Sequence, residues 1–186
     1  KTVVTMGTQP QGQGHETTYA QVVADRLGIP MEDIVIQHSD TLGTPFGYGS
    51  YGSRTSSVGM TAAIKASGKI REKARRYAAH LLEASPDDVE VEGANYFIKG
   101  SPDKVKTLQE IAFALDLAFD TPDGMEPYLD ETAYWDTPNC TWPFGTHIAV
   151  VEIDEETGTV ELVRYVAVDD VGKKINPLIV DGQLHG

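Results

Sequence analysis

Cysteine is almost missing from the 186 residues: Cys140 stands alone. One thiol excludes an internal disulfide framework and any cysteine-rich zinc or iron–sulfur site, and it fits a reducing, cytoplasmic setting. Basic residues are scarce too. Fifteen Lys and Arg face 28 Asp and Glu, for a net charge of −13. That balance argues against nucleic acid or an anionic membrane as the partner. No apolar run reaches the ~18 residues that a spanning helix needs, and no signal-peptide pattern is present. The five histidines are scattered, so His15 beside Glu16 has no second histidine at ligand spacing and no metal site is expected. Gly-x-x-x-x-Gly-Lys-Ser/Thr does not occur, and no turn that directly joins a strand to a helix has the Gly-x-Gly-x-x-Gly spacing of a flavin or nicotinamide fingerprint. The chain opens at Lys1 within a strand pattern and closes at Gly186 without a polar tail. Both ends are expected to continue into further sequence.

What is present suffices for a real core: 40% of residues are hydrophobic, in a chain long enough for one large domain or two small ones. Thr2 to Met6 reads as a strand. Thr17 to Leu27 has helical spacing, with Thr17 or Thr18 as cap and Gly28 as stop. Asp33 to Ser39 reads as a second strand. A long glycine-rich loop, Asp40 to Ser57, leads into the longest helix, about 57–83. Its apolar stripe is Val58, Ala62, Ala66, Ile70, Ala74, Tyr77 and Leu81. Lys65, Lys69, Lys73 and Arg76 make a basic stripe, either a polyanion-binding face or a solvated one.

Val89 to Glu92 and Asn95 to Ile98 read as a hairpin. Thr107 and Glu110 form a capping box for a helix to Leu117, and Ala118 to Pro127 is an acidic surface loop. Leu129 to Trp135 takes on a β pattern. Thr146 to Asp154 and Thr159 to Val168 form a hairpin whose first strand is apolar on both faces and so expected to be covered on both. Asp169 to Gly172 breaks the strand, and Asn176-Pro177 starts a last helix. Asp169 and Asp170 point opposite ways and cannot easily share a site. Cys140, in an aromatic, proline-flanked segment, reads as a packed hydrophobe. The expected fold is α+β, with mixed sheets packed on helices and two subdomains, 1–120 and 121–186.

The stretch with most chemistry is Gln9-Pro10-Gln11-Gly12-Gln13-Gly14-His15-Glu16-Thr17-Thr18, between the first strand and first helix. It offers backbone N–H groups at the positive end of a helix dipole, glycines that admit a close ligand, and amides that donate and accept. A phosphate-bearing, heteroatom-rich ligand suits it; a plain glycine turn is the other reading. Gly52-Ser53-Arg54-Thr55 repeats this chemistry before the long helix, with hydroxyls and a guanidinium. Arg54 reads equally as a partner for Asp40, and Asn176 as a simple helix cap.

Three stretches occur in order: Gly12-Gln13-Gly14-His15-Glu16-Thr17-Thr18, Tyr51-Gly52-Ser53-Arg54-Thr55, and Asp169-Asp170-Val171-Gly172 with Asn176-Pro177, Gly182-Gln183 and Gly186. In order and spacing the chain resembles the molybdenum hydroxylase family, within the molybdopterin-binding part of its large subunit. Pro138 to Gly145 and the Gly7-Thr8-Gln9-Pro10-Gln11 lead-in are most similar to the aerobic carbon monoxide dehydrogenase branch. The resemblance implies a molybdenum cofactor in its molybdopterin cytosine dinucleotide form. It implies cofactor contacts at Gln11, Gly12, Gln13, Gly14, His15 and Thr17, at Gly52, Ser53, Arg54 and Thr55, and at Asn176 and Gln183. It also implies a small-molecule substrate and iron–sulfur and flavin partners. In the family the catalytic carboxylate and the copper-holding cysteine belong to motifs absent here, so no catalytic residue is assigned and the chain alone is expected to be inactive. The alternative is a non-enzymatic nucleotide- or phosphate-binding module.

Overall fold

The computed structural model describes residues 1–44 and 46–186; Pro45, within the expected long loop, lies outside the described residues. The fold is α+β, and the chain divides into two compact units, Lys1–Thr137 and Pro138–Gly186.

The first unit opens with two parallel strands, β1 (Thr2–Met6) and β2 (Ile34–His38), with Thr2 opposite Ile34 and Met6 opposite His38. Parallel neighbours need a crossover, and α1 (His15–Leu27) supplies it, burying Tyr19, Val23 and Leu27 on one stripe. Gly28 ends α1 as expected, its N–H donating to the Ala24 carbonyl. The start differs. The helix begins at His15, capped by the backbone of Gly14 (φ 73) with no side-chain cap bond. Thr18, expected as a cap, instead turns its hydroxyl back to the carbonyls of Gly14 and His15, 3.2 Å from each.

The long helix is entered through a π-helical turn, Thr55–Met60, and continues as α2 (Thr61–Leu81). Its buried residues include Ala63, Ser67, Ala74, Tyr77 and Ala78. The expected stripe therefore holds at Ala74 and Tyr77, and in the N-terminal half it falls one residue later, on Ala63 and Ser67 in place of Ala62 and Ala66. There Ser67 can be buried because its hydroxyl donates to the Ala63 carbonyl at 2.9 Å. Val58, Ala62, Ala66 and Ile70 instead line an open trough of about 1560 Å³, together with Val3 and Trp135.

The hairpin β3 (Val89–Glu92) and β4 (Asn95–Ile98) forms as expected. A third strand, β5 (Ser101–Thr107), pairs antiparallel with β4. Pro102 and the charges around it hid this strand, but an edge strand tolerates both. Thr107 and Glu110 make the full capping box at the start of α3 (Leu108–Leu117), which buries Leu108, Ile111 and Leu115.

Leu129 to Trp135 forms no strand. The segment is held by side chains and single backbone bonds instead. Tyr128 N–H donates to the Leu115 carbonyl at 3.2 Å. Lys69 Nζ donates to the Thr132 carbonyl at 2.7 Å, and Lys65 Nζ lies 3.7 Å from the Trp135 ring centre. Half of the basic stripe is thus engaged within the unit, and residues 121–137 belong with the first unit.

The second unit is a hairpin, β6 (Phe144–Ile153) with β7 (Val160–Asp170), followed by α4 (Pro177–His185). β7 runs to Asp170 rather than breaking at Asp169. Every residue of β6 is exposed, against the expected cover on both faces: within this unit no second layer packs on the hairpin. Cys140 is also exposed rather than packed. Among the described residues no helix is long and apolar enough to cross a membrane.

Candidate functional site

The first two glycine-rich stretches meet at the C-terminal edge of the β1–β2 pair. β1 ends at Met6, and Gly7 approaches Gly47 so closely that a Cβ on Gly47 would overlap the Gly7 backbone. Only glycine permits this contact. Gly49 N–H then donates to the Gly7 carbonyl at 3.0 Å. Two residues on, Gln9 N–H donates to Ser50 Oγ at 3.2 Å, and Gln11 Nε2 donates to the Ser50 carbonyl at 3.4 Å. Thr55 Oγ1 donates to Ser50 Oγ at 3.0 Å. Ser50 is 9% exposed. It lies in the long loop Asp40 to Ser57 but outside the Gly52-Ser53-Arg54-Thr55 stretch expected to contact a ligand, and nothing in the sequence distinguishes it from Ser56 or Ser57. The only available signal was its place just before the Tyr51–Thr55 run.

Around this junction Gln11 and Gly12 are exposed and Gln13 is half-buried. The two amides face one another: Gln11 N–H donates to Gln13 Oε1, and Gln13 Nε2 donates to Gln11 Oε1 at 3.2 Å. They form a preset pair, each with donor or acceptor capacity left over. Gly14 caps α1 with its backbone alone, so the first N–H groups of the helix stay available to an anion. Thr17 is exposed in that first turn. Gly52 (φ 58) and Ser53 (φ 56) are both left-handed, and they turn the chain ahead of the π-helical entry to α2. π-helical turns often mark functional sites. The Arg54 guanidinium lies 5.0 Å from the Tyr51 ring centre. Among the described residues it pairs with no carboxylate, so the alternative of an Asp40 partner is not realised.

Beneath the first loop sits a polar cluster that the sequence did not announce. Thr8 Oγ1 and Tyr19 OH are 3.1 Å apart, and His38 Nδ1 is 2.9 Å from the Thr8 carbonyl. His15, only 8% exposed, sets its ring 6.1 Å from Tyr19 and 6.2 Å from His38. Its Nδ1 is buried without a partner among the described residues. Burial, then the neighbouring His38, lower the His15 pKa; a backbone contact at Gln9 and the charge of Glu16 oppose them. His15 is therefore a neutral support of the loop, set back from its exposed rim.

Asn176 and Gln183 lie in the second unit. Asn176 Oδ1 caps α4 by accepting from Ile179 N–H at 3.2 Å, as expected, and Gln183 is exposed on that helix. The same unit carries a further cluster. His147 Nδ1 meets Tyr165 OH at 2.7 Å and its Nε2 meets Asp169 Oδ2 at 2.9 Å. Asp170 turns away and accepts from Gly172 N–H at 2.9 Å. The adjacent carboxylates thus separate as strand alternation requires. The sequence held a signal for this cluster: His147 and Asp169 are diagonal neighbours once Gly145 is set opposite Asp169.

Two helix starts, neither with a side-chain cap bond, beside left-handed glycines and paired amides, bring together groups whose chemistry suits a phosphate-bearing, heteroatom-rich ligand. Comparison with known proteins agrees with this chemistry. A family model described as "Molybdopterin cofactor-binding domain" matches residues 1–186. The chain is 44% identical over 185 residues to the carbon monoxide dehydrogenase large chain of Afipia carboxidovorans, covering 99% of this chain and 22% of that one. It is 45% identical over 184 residues to the protein of the same name from Hydrogenophaga pseudoflava, covering 99% and 23%. The solved structure of reconstituted CO dehydrogenase from Oligotropha carboxidovorans superposes with a TM-score of 0.91 at 44% identity, over 98% of this chain and 22% of that one. The chain thus spans under a quarter of the length of these relatives.

Proposed function

Because the chain belongs to the molybdopterin cofactor-binding domain family, we propose that its two glycine-rich loops hold the molybdenum cofactor. Gln11, Gly12, Gln13, Gly14 and Thr17 form one side of the cradle and Gly52, Ser53, Arg54 and Thr55 the other. His15 supports the first side from beneath. For Asn176 and Gln183, which lie in the second unit, the assignment rests on the family match alone. We assign the cytosine dinucleotide form, because a pyrophosphate suits the bare first turn of α1 and the hydroxyls and guanidinium before α2. When bound, the cofactor supplies a redox-active metal; the residues here bind, orient and shield it.

At the level of the whole protein, the reading is a cytoplasmic, molybdenum-dependent oxidoreductase that works with iron–sulfur and flavin subunits or domains. The relatives' names favour carbon monoxide as the substrate. The observation that carries the local reading is the junction at Ser50, where two anion-suited loops distant in sequence lie side by side.

Titration with cytidine diphosphate tests it. The wild-type chain is expected to bind, and Gln13→Ala to bind at least about tenfold more weakly, as the loss of a polar contact and of the preset amide pair implies. Equal affinity for the two would remove Gln13 from the site, and no binding by either would overturn the assignment.

A further inference from the structure

We propose that Ser50 is the positioning residue that latches the two loops into one cradle and offers the ligand a hydroxyl donor. This rests on the reading of those loops as the site of a phosphate-bearing ligand. Among the described residues, both hydrogen bonds between residues 9–14 and residues 49–55 end on Ser50: Gln9 N–H on its Oγ and Gln11 Nε2 on its carbonyl. A third bond, from Thr55 Oγ1 to the same Oγ, ties in the first residue of the π-helical turn. One nearly buried side chain thus joins the backbone of the first loop to the entry of α2, while its own carbonyl holds the Gln11 amide of the facing pair.

A hydroxyl carries two acceptor positions and one proton. Gln9 and Thr55 occupy both acceptor positions of Ser50. Its proton finds no acceptor among the described residues. The proton is therefore left for an oxygen acceptor arriving between the loops, and a phosphate oxygen is the chemical class that fits. Because the loops are already joined, a ligand that spans them does not have to order each one separately, and this preorganisation strengthens binding. Removing the Ser50 hydroxyl takes away the Gln9 and Thr55 bonds and leaves the Gln11 and Gly49 bonds, so the two halves are joined more loosely and share less of the binding.

The test has an arm without ligand and an arm with it, both on the whole chain. In the first, amide hydrogen exchange is followed at Gly49, whose N–H bonds to Gly7 and does not touch Ser50. Ser50→Ala is expected to speed exchange there about tenfold, a measurable fall in local opening free energy, while Ser50→Thr stays near wild type because it keeps the hydroxyl. Unchanged protection at Gly49 in Ser50→Ala would overturn the latch. In the second arm, cytidine diphosphate is titrated against wild type, Ser50→Ala and Ser50→Thr, and against Gln13→Ala and Thr55→Val singly and together, with and without Ser50→Ala. The expected result is about tenfold weaker binding for Ser50→Ala, near-wild-type binding for Ser50→Thr, and coupling between Gln13 and Thr55 that weakens without the Ser50 hydroxyl. Wild-type affinity in Ser50→Ala, or coupling undiminished by it, would sink the proposal while leaving the ligand assignment standing. If wild type itself binds nothing, the ligand assignment and the donor role fall together, and the exchange arm still decides whether the latch exists. Should Ser50→Ala fail to fold, Thr55→Val removes one arm of the latch and is expected to raise Gly49 exchange in the same direction.

Discussion

Tyr96 is fully buried, and its hydroxyl has no hydrogen-bond partner among the described residues. Burial pushes its pKa up to about 12, with the nearby Arg71 charge acting in the opposite sense. A buried polar atom that makes no bond contributes desolvation cost without return. Tyr96→Phe is therefore expected to leave the chain as stable or up to about 1 kcal/mol more stable, read as the urea midpoint at unchanged slope. A loss of that size would reveal a partner for the hydroxyl. His15 gives the residue-scale pH dependence. Its folded pKa lies below the ordinary 6.5, first through burial and then through His38. Between those two values the unfolded chain binds more protons, so stability rises with pH there. Acidification from about pH 6.5 is thus expected to lower the unfolding midpoint, levelling off below the folded pKa. His15→Gln should flatten that part of the profile. An unaltered slope in the variant would assign the proton uptake to another group.

At the scale of elements, what could be read from the sequence was whatever local chemistry decides. Gly28 stops α1, Thr107 with Glu110 starts α3, and Asn176-Pro177 starts α4, each at the expected residue. Those signals act within a turn of helix and need no tertiary partner. The misses share a different cause. α1 starts at His15 because a glycine backbone caps it, which no capping side chain signals. β5 exists because β4 offers it an edge, despite Pro102. Leu129 to Trp135 has a β composition, but α2 gives it lysines to meet instead of a strand to pair with. The candidate site divides in the same way. The glycines and amides of the two loops stand out locally, whereas Ser50, His38 and the Gly7–Gly47 contact acquire meaning only when β1, β2 and the long loop come together.

At the scale of the whole molecule, the two units differ in how much of their apolar surface they cover. The first buries a core that includes Tyr19, Tyr77, Tyr96, Ile111 and Leu115. The second leaves Val150, Val151, Ile153, Leu162 and Val163 of its hairpin in the open. A lone two-stranded hairpin is marginal in water, and contiguous exposed apolar faces drive association. The chain is therefore expected to self-associate as its concentration rises, seen as a growing sedimentation coefficient. Val150 and Val151 fall on opposite faces of β6, apart from a local irregularity in the ladder between them. Val150→Lys and Val151→Lys consequently charge one face each. The variant that suppresses association identifies the face responsible, and suppression by both means that both faces take part. Wild type that stays monomeric at every concentration, or association untouched by either lysine, would show that the hairpin does not drive it.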